Sequence, residues 1–306
     1  MRTKSFQSTF SLPAIALSTL FLAACGAGSV PDTIVPAAAA PALFACGGPT
    51  FTSPLFTAGT INGQSGWFSD PASRFDEAIV DLGIGACRGK GVWKIGNAVT
   101  STAFSNQPQS PSLQLTAGES AVRSIGGGDT MEVSFFIRTV SAAGADGSAF
   151  TFSLSPGTAD RHNYLRFVND DNADGGFQAV AIDGVNLDQN HIVKNNIGRG
   201  QWHHIRIRNR NVDGLNGDGS GNDIVEAYFD GVLVSTHTTW EAWRAALPAT
   251  TLAVNRSLFR LAAAASSFGA FATPLGFYID DYTQTITNSS NPGVILAEYK
   301  TGFEVP

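Results

Sequence analysis

The stretch GQWHHIRIRNRNVDGLNGDGSGNDIVEAYFDGVLVSTHTTW, residues 200–240, decides how this chain folds. His203, Ile205 and Ile207 alternate with His204, Arg206 and Arg208, so one strand carries an apolar face and a basic face. Val225, Ala227 and Phe229 alternate with Glu226, Tyr228 and Asp230 in a second strand, and Val232 and Val234 open a third. Asp230-Gly231 joins the last two. A type I′ turn needs positive φ at both central positions, and an Asp-Gly pair between alternating strands meets that need. The segment from Asp213 to Asp223 reads as a long, acidic, Gly-rich loop.

Upstream the same period-2 pattern recurs. Val133, Phe135 and Ile137 oppose Glu132, Ser134, Phe136 and Arg138, followed by Phe150, Phe152 and Leu154, by Leu165 and Phe167, and by Phe177, Ala179 and Ala181. Turn residues separate them: Gly144 to Gly147, Ser155-Pro156-Gly157 and Asp174-Gly175-Gly176. Further strands are expected at 75–82, 90–96, 119–125, 256–264 and 276–286, with a final edge strand in the tail from Val294 to Val305. Asn97 to Ser112 is polar, contains Pro108 and Pro111, and reads as a loop. One short helix is expected after the capping box Thr238-x-x-Glu241, ending before Pro248, with Trp240 and Trp243 on it. Many short strands and almost no helix predict an all-β sandwich or barrel.

The composition agrees. The chain has 306 residues, 33 Gly and 21 Phe, and only 14% are charged. That supplies many turns and a large aromatic core, and one sandwich can take up this length.

The late strands resemble those of a concanavalin A-like, laminin-G-like jelly roll, where Trp-His-x-Ile is followed by Val-x-x-Tyr-x-Asp-Gly-x-Leu-Val. Tyr164-Leu165-Arg166-Phe167 and Gly276 to Asp281 extend the resemblance to roughly residues 50–287. It implies an exported domain that binds glycans or other surface ligands.

The N-terminus reads as a targeting segment. Arg2 and Lys4 precede an apolar run from Leu12 to Ala24 that ends Leu22-Ala23-Ala24-Cys25. This resembles a bacterial lipoprotein signal. It implies cleavage after residue 24, lipidation of Cys25, a tether over 25–43, the sandwich over 44–306 and, with Gly26, an outer-membrane address. Losing the two basic residues takes the formal charge from −6 to −8. An acidic chain argues against nucleic acid and against densely anionic polysaccharide unless a local basic patch overrides the net charge. No later segment approaches 18 continuous apolar residues. With Cys25 lipidated in an oxidising compartment, Cys46 and Cys87 remain to form a disulfide.

Glycoside hydrolysis needs two carboxyl groups about 5–5.5 Å or about 6.5–9.5 Å apart. Residues i and i+2 on a strand lie about 6.6 Å apart, and no acidic pair has that spacing. Glu77 with Asp81, and Glu226 with Asp230, are i and i+4, about 13 Å apart. The Glu-x-Asp-x-x-Glu signature of laminarinase-like enzymes on this fold is absent, as is a Gly-x-Ser-x-Gly elbow. Arg161, His162, Tyr164 and Arg166 supply the residue types of polysaccharide lyases without their strand motifs. Carboxylates from different strands can still converge.

Two loops carry calcium-type oxygen ligands. Asp170, Asn172, Asp174 and Gly175 match the start of a D-x-N-x-D-G loop whose twelfth position is Ala181 rather than Glu. Asp213, Asn216, Asp218, Asn222 and Asp223 form the second. The resemblance also implies an ion of this kind. For glycan contact the candidates are Trp67, Tyr164, Arg166, Arg206 and Tyr228, because sugar rings stack on aromatic faces while planar polar groups bond their hydroxyls. The expected function is non-catalytic glycan or surface-ligand binding. A polysaccharide-cleaving site assembled across strands is the alternative, and a purely structural or adhesive envelope module is the third reading.

Overall fold

A computed structural model describes residues 46–47, 51, 54–69, 77–95, 108–115, 128–155, 162–170, 175–182, 190–245, 254–263, 275–288 and 291–306. The lipoprotein signal, Cys25, the tether and the expected strand at 119–125 lie outside the described residues.

The described residues form two antiparallel sheets. In chain order the strands are β1 (Glu77–Asp81), β2 (Gly91–Ile95), β3 (Asp129–Thr139), β4 (Ala149–Ser155), β5 (Leu165–Val168), β6 (Phe177–Ile182), β7 (Asn190–Ile197), β8 (His203–Arg210), β9 (Ile224–Phe229), β10 (Val232–His237), β11 (Arg256–Ala263), β12 (Phe277–Asn288) and β13 (Asn291–Thr301). The larger sheet has eight strands in the order β1-β2-β12-β3-β8-β9-β10, with β13 beside β12. The smaller has the order β11-β4-β5-β6-β7. This is a jelly-roll sandwich: the alternation predicts a sandwich or barrel, and the resemblance implies the jelly roll.

The alternation sets what lies inside. Val133, Phe135, Ile137, Ile205, Ile207 and Phe229 of the larger sheet meet Phe150, Phe152, Phe167, Phe177 and Phe259 of the smaller. Rings dominate this core, and most of them meet at the tilted or edge-on angles that aromatic quadrupoles prefer. The tail closes the molecule: β13 pairs with β12, and Phe303 packs on Phe56 with ring centres 5.5 Å apart.

The β9–β10 hairpin has φ of 48° at Asp230 and 80° at Gly231, as a type I′ turn requires. Asp230 also clamps the neighbouring strand. One carboxylate oxygen accepts the His204 N–H at 2.8 Å and the other meets His203 Nδ1 at 2.9 Å.

Two readings need correction. The strand β7 was not anticipated: its sequence, NHIVKNNI, has no clean period-2 pattern. The helix α1 (Glu241–Ala245) begins at Glu241, so Glu241 is not the third residue of a capping box opened by Thr238. Instead its carboxylate accepts the N–H groups of Asn222 and Asp223 and pins the β8–β9 loop.

Candidate functional site

Residues that alternate with the core of the larger sheet point away from it, and strand register sorts them into rows. The first row runs from Lys94 on β2 through Tyr278 on β12 to Arg138 on β3, with Trp202 beside Arg138. The second holds Asp280, Phe136 and His204. The third is Lys300, Thr283, Ser134, Arg206 and Tyr228, and the fourth is Glu298, Thr285, Glu132, Arg208 and Glu226. Rows three and four each cross five strands, about 19 Å.

A loop lies over the second row. Cys46 and Cys87 form a disulfide at the β1–β2 connection, as expected. The N–H groups of Cys87 and Arg88 donate to one oxygen of the Asp280 carboxyl, at 2.9 and 3.0 Å, and that of Asp281 to the other. Burial, with the charges of Asp281 and Glu304, pushes the Asp280 carboxyl up to about 8. Arg88 lies 5.5 Å over the Phe136 ring and pairs with Asp281 at 2.9 Å. His204, 5% exposed, packs on Phe136 from the side.

Burial, helped by the Arg206 and Arg88 charges and opposed by Asp230, lowers the His204 pKa from 6.5 to about 4. Folding therefore favours the neutral imidazole. Its contribution to stability is complete above pH 6.5 and is lost as pH falls through 4, by up to about 3 kcal/mol. Denaturation of wild type and His204→Gln between pH 7 and 4 checks this: the variant is expected to lose less stability over that range. Parallel acid limbs would show that His204 does not titrate as described.

Beyond the loop the face is open. The Arg206 guanidinium stacks 3.8 Å above the Tyr228 ring, and its side chain remains 30% exposed. Tyr228 donates to Glu226 at 3.0 Å, and Arg208 meets the same carboxylate at 3.5 Å. Burial and the Glu226 contact raise the Tyr228 pKa, so the phenol is a neutral hydrogen-bond donor. Glu132 lies 3.9 Å from Arg206. Glu132 and Glu226 stand two strand spacings apart, about 9.6 Å, with Arg208 between them. Each of their carboxylates faces a guanidinium.

Only two of the five proposed contact residues come together: Arg206 and Tyr228. Trp67 is a correction. It is 1% exposed, its indole N–H donates to Tyr299 at 3.0 Å, and it touches Trp93, Phe259, Tyr282 and Phe303, so it belongs to the core. Tyr164 and Arg166 lie on and beside β5 of the other sheet. Tyr164 stacks on Trp240 at 6.1 Å and 13°, away from Arg206. Sequence reasoning missed Arg138, Trp202 and Tyr278 as a group, because cross-strand register alone brings them together.

Asp223 also needs correcting as an ion ligand. It is 4% exposed, and its two oxygens accept from Val212 N–H at 2.7 Å and Thr239 Oγ1 at 2.9 Å. Burial and the Glu241 charge raise its pKa. It is a loop anchor, and this buried carboxyl pair faces no open surface. Asp218 accepts two bonds from Ser220, and Asn216 bonds Ser220 and the Gly221 carbonyl. In the other loop, Asp170 accepts from Gln178 at 2.9 Å, and Arg199 donates to the carbonyls of Asp170, Gly175 and Gly176 and to the Asn169 side chain. Asn172 and Asp174 lie outside the described residues. Among the described residues no three His, Cys, Asp or Glu side chains converge as a metal site.

No family model matches the chain, and no curated protein does. Among solved structures it is similar to a sialidase at 12% identity and TM-score 0.37, over 73% of this chain and only 16% of that one. Lectin II from Ulex europaeus matches at 12% identity and TM-score 0.39, over 75% of this chain and 96% of the lectin. The endo-β-1,4-glucuronan lyase from the fungus Trichoderma reesei matches at 14% and 0.37, over 80% and 94%. Similarity at this level says nothing about ligand or activity.

Proposed function

We propose that this domain binds glycan chains along the open outer face of the eight-stranded sheet and does not cleave them. The Arg206–Tyr228 stack carries this reading. It offers a flat, partly exposed guanidinium whose edge donors are suited to sugar hydroxyls, fixed by the ring beneath it. Thr283, Ser134 and Thr285 extend the same floor with hydroxyls.

His204, Arg206 and Tyr228 are residue types that a lyase would use, and they share one face, which makes cleavage the second reading. Two observations weigh against it. His204 is enclosed beside Phe136, and the Tyr228 phenol is harder to ionise than usual, which disfavours it as a base.

A glycan array with the purified protein, with and without EDTA, tests the proposal, followed by calorimetry on the best ligand. Arg206→Ala is expected to weaken binding about tenfold or more, since hydrogen bonds to a charged donor contribute about 1.5–3 kcal/mol. Unchanged affinity in the variant would sink this face as the site. Loss of binding in EDTA would bring an ion in one of the acidic loops back into the account. Release of reducing ends or unsaturated sugars would establish the cleavage reading instead.

In the same proposal the protein is exported and held to the bacterial envelope, at the outer membrane, by lipid on Cys25. Cys25→Ala is expected to move it from the membrane to the soluble envelope fraction.

A further inference from the structure

Among the described residues of the outer face, Arg138 stands out because its own row does not pair it. Its guanidinium lies between two rings, 4.9 Å from Trp202 and 5.1 Å from Tyr278. Trp202 is fixed in turn, its indole N–H donating to the Gly85 carbonyl at 3.2 Å. Among the described residues Arg138 has no ion pair and no hydrogen bond, and its Nε is enclosed without a partner. The acids of the next row and of the tail are engaged elsewhere. Asp280 accepts three backbone N–H groups, Asp281 pairs with Arg88, and Glu304 accepts from the Lys90 N–H. On the other side of Tyr278 the row continues to a second cation, Lys94.

A half-buried cation with aromatic faces on both sides and no anion among the described residues is costly in the free protein. Burial accordingly lowers the Arg138 pKa, though not enough to discharge a guanidinium. Stacking uses the faces of the planar group and leaves its edge, where the N–H donors lie. That edge matches the two oxygens of a carboxylate.

We infer that Arg138, held between Trp202 and Tyr278, is the anchor for a carboxylate of the bound glycan, such as that of a uronic acid unit. The inference rests on the glycan-binding reading of the same face and narrows it from glycans in general to acidic ones. The two flanking rings are surfaces on which the sugar carrying that carboxylate can pack. The net negative charge of the chain does not oppose this. It disfavours long-range attraction of a densely charged polymer, whereas a half-buried guanidinium with no ion pair among the described residues acts at contact distance.

Calorimetry with trigalacturonate and with its neutral trimethyl ester tests the anchor. Wild type is expected to bind the acid about tenfold or more tightly than the ester, as a charge-assisted bidentate pair implies. Arg138→Gln is expected to bring the two affinities together. Arg138→Lys, which keeps the charge but not the fork, should restore only part of the preference. Arg206→Ala should weaken acid and ester alike. Equal binding of acid and ester by wild type, or a preference that survives in Arg138→Gln, would overturn the carboxylate anchor and leave the glycan-binding reading standing. Binding of neither sugar, on a protein that also binds nothing on the array, would overturn both. Thermal unfolding of each variant separates loss of the anchor from loss of the fold.

Discussion

Replacing Phe259 with alanine is expected to destabilise the domain by about 3–5 kcal/mol, the range for truncating a large buried aromatic. Phe259 sits on β11 of the smaller sheet with no measurable exposure. Its ring centre lies 4.8 Å from that of Trp93 and 5.4 Å from that of Phe152. Trp67, Tyr282, Phe135 and Phe150 follow at 5.9, 6.1, 6.2 and 6.3 Å. Neighbours on both sheets are rigid rings, which cannot flow into a cavity, so relaxation recovers little of the loss. Urea denaturation checks the value, with Val232→Ala as reference. Val232 is 62% exposed, and its truncation should change stability by no more than about 0.5 kcal/mol. A Phe259→Ala loss under about 1.5 kcal/mol would mean that the rings do repack and that the core is looser than its geometry implies.

Removing the disulfide has an effect of similar size by a different route. Cys46 and Cys87 are 41 residues apart, and a cross-link over a loop of that length lowers the entropy of the unfolded chain by about 4 kcal/mol at room temperature. The double replacement of both cysteines by serine is therefore expected to cost about that much, and reduction of the wild-type protein about the same. A local effect comes with it. Cys87 donates its N–H to the buried Asp280, so the bridge also holds the loop that lies over Phe136 and His204. The His204 imidazole should become easier to protonate once that cover loosens, which an NMR titration would register as a pKa above the value of about 4 in the intact protein. Stability unchanged by the double replacement would show that the loop is held without the bridge.

Much of the fold was legible because one face of each strand is buried and side chains alternate. Phe135, Ile205 and Phe229 announced their faces, and Asp230-Gly231 announced its hairpin. Strand β7 was not legible, since Asn190, Lys194, Asn195 and Asn196 break the alternation on which such a reading depends. The site was legible only in part. Arg206 and Tyr228 read as outward-facing residues of consecutive strands, and the β8–β9 pairing register sets them side by side. Trp67 was a glycan-contact candidate, yet Tyr299, more than two hundred residues away, takes its indole N–H, and Trp67 lies in the core. Arg138 shares its surroundings with residues of β2, β12 and the start of β8. No spacing within one segment encodes that meeting.

The Arg199 side chain, which donates to three carbonyls of the turn between β5 and β6 and to Asn169, gives that turn a counter-charge covalently tied to the chain. A tethered cation cannot be diluted away or removed by a chelator. The three carbonyls it holds thus have a positive partner that the chain itself supplies.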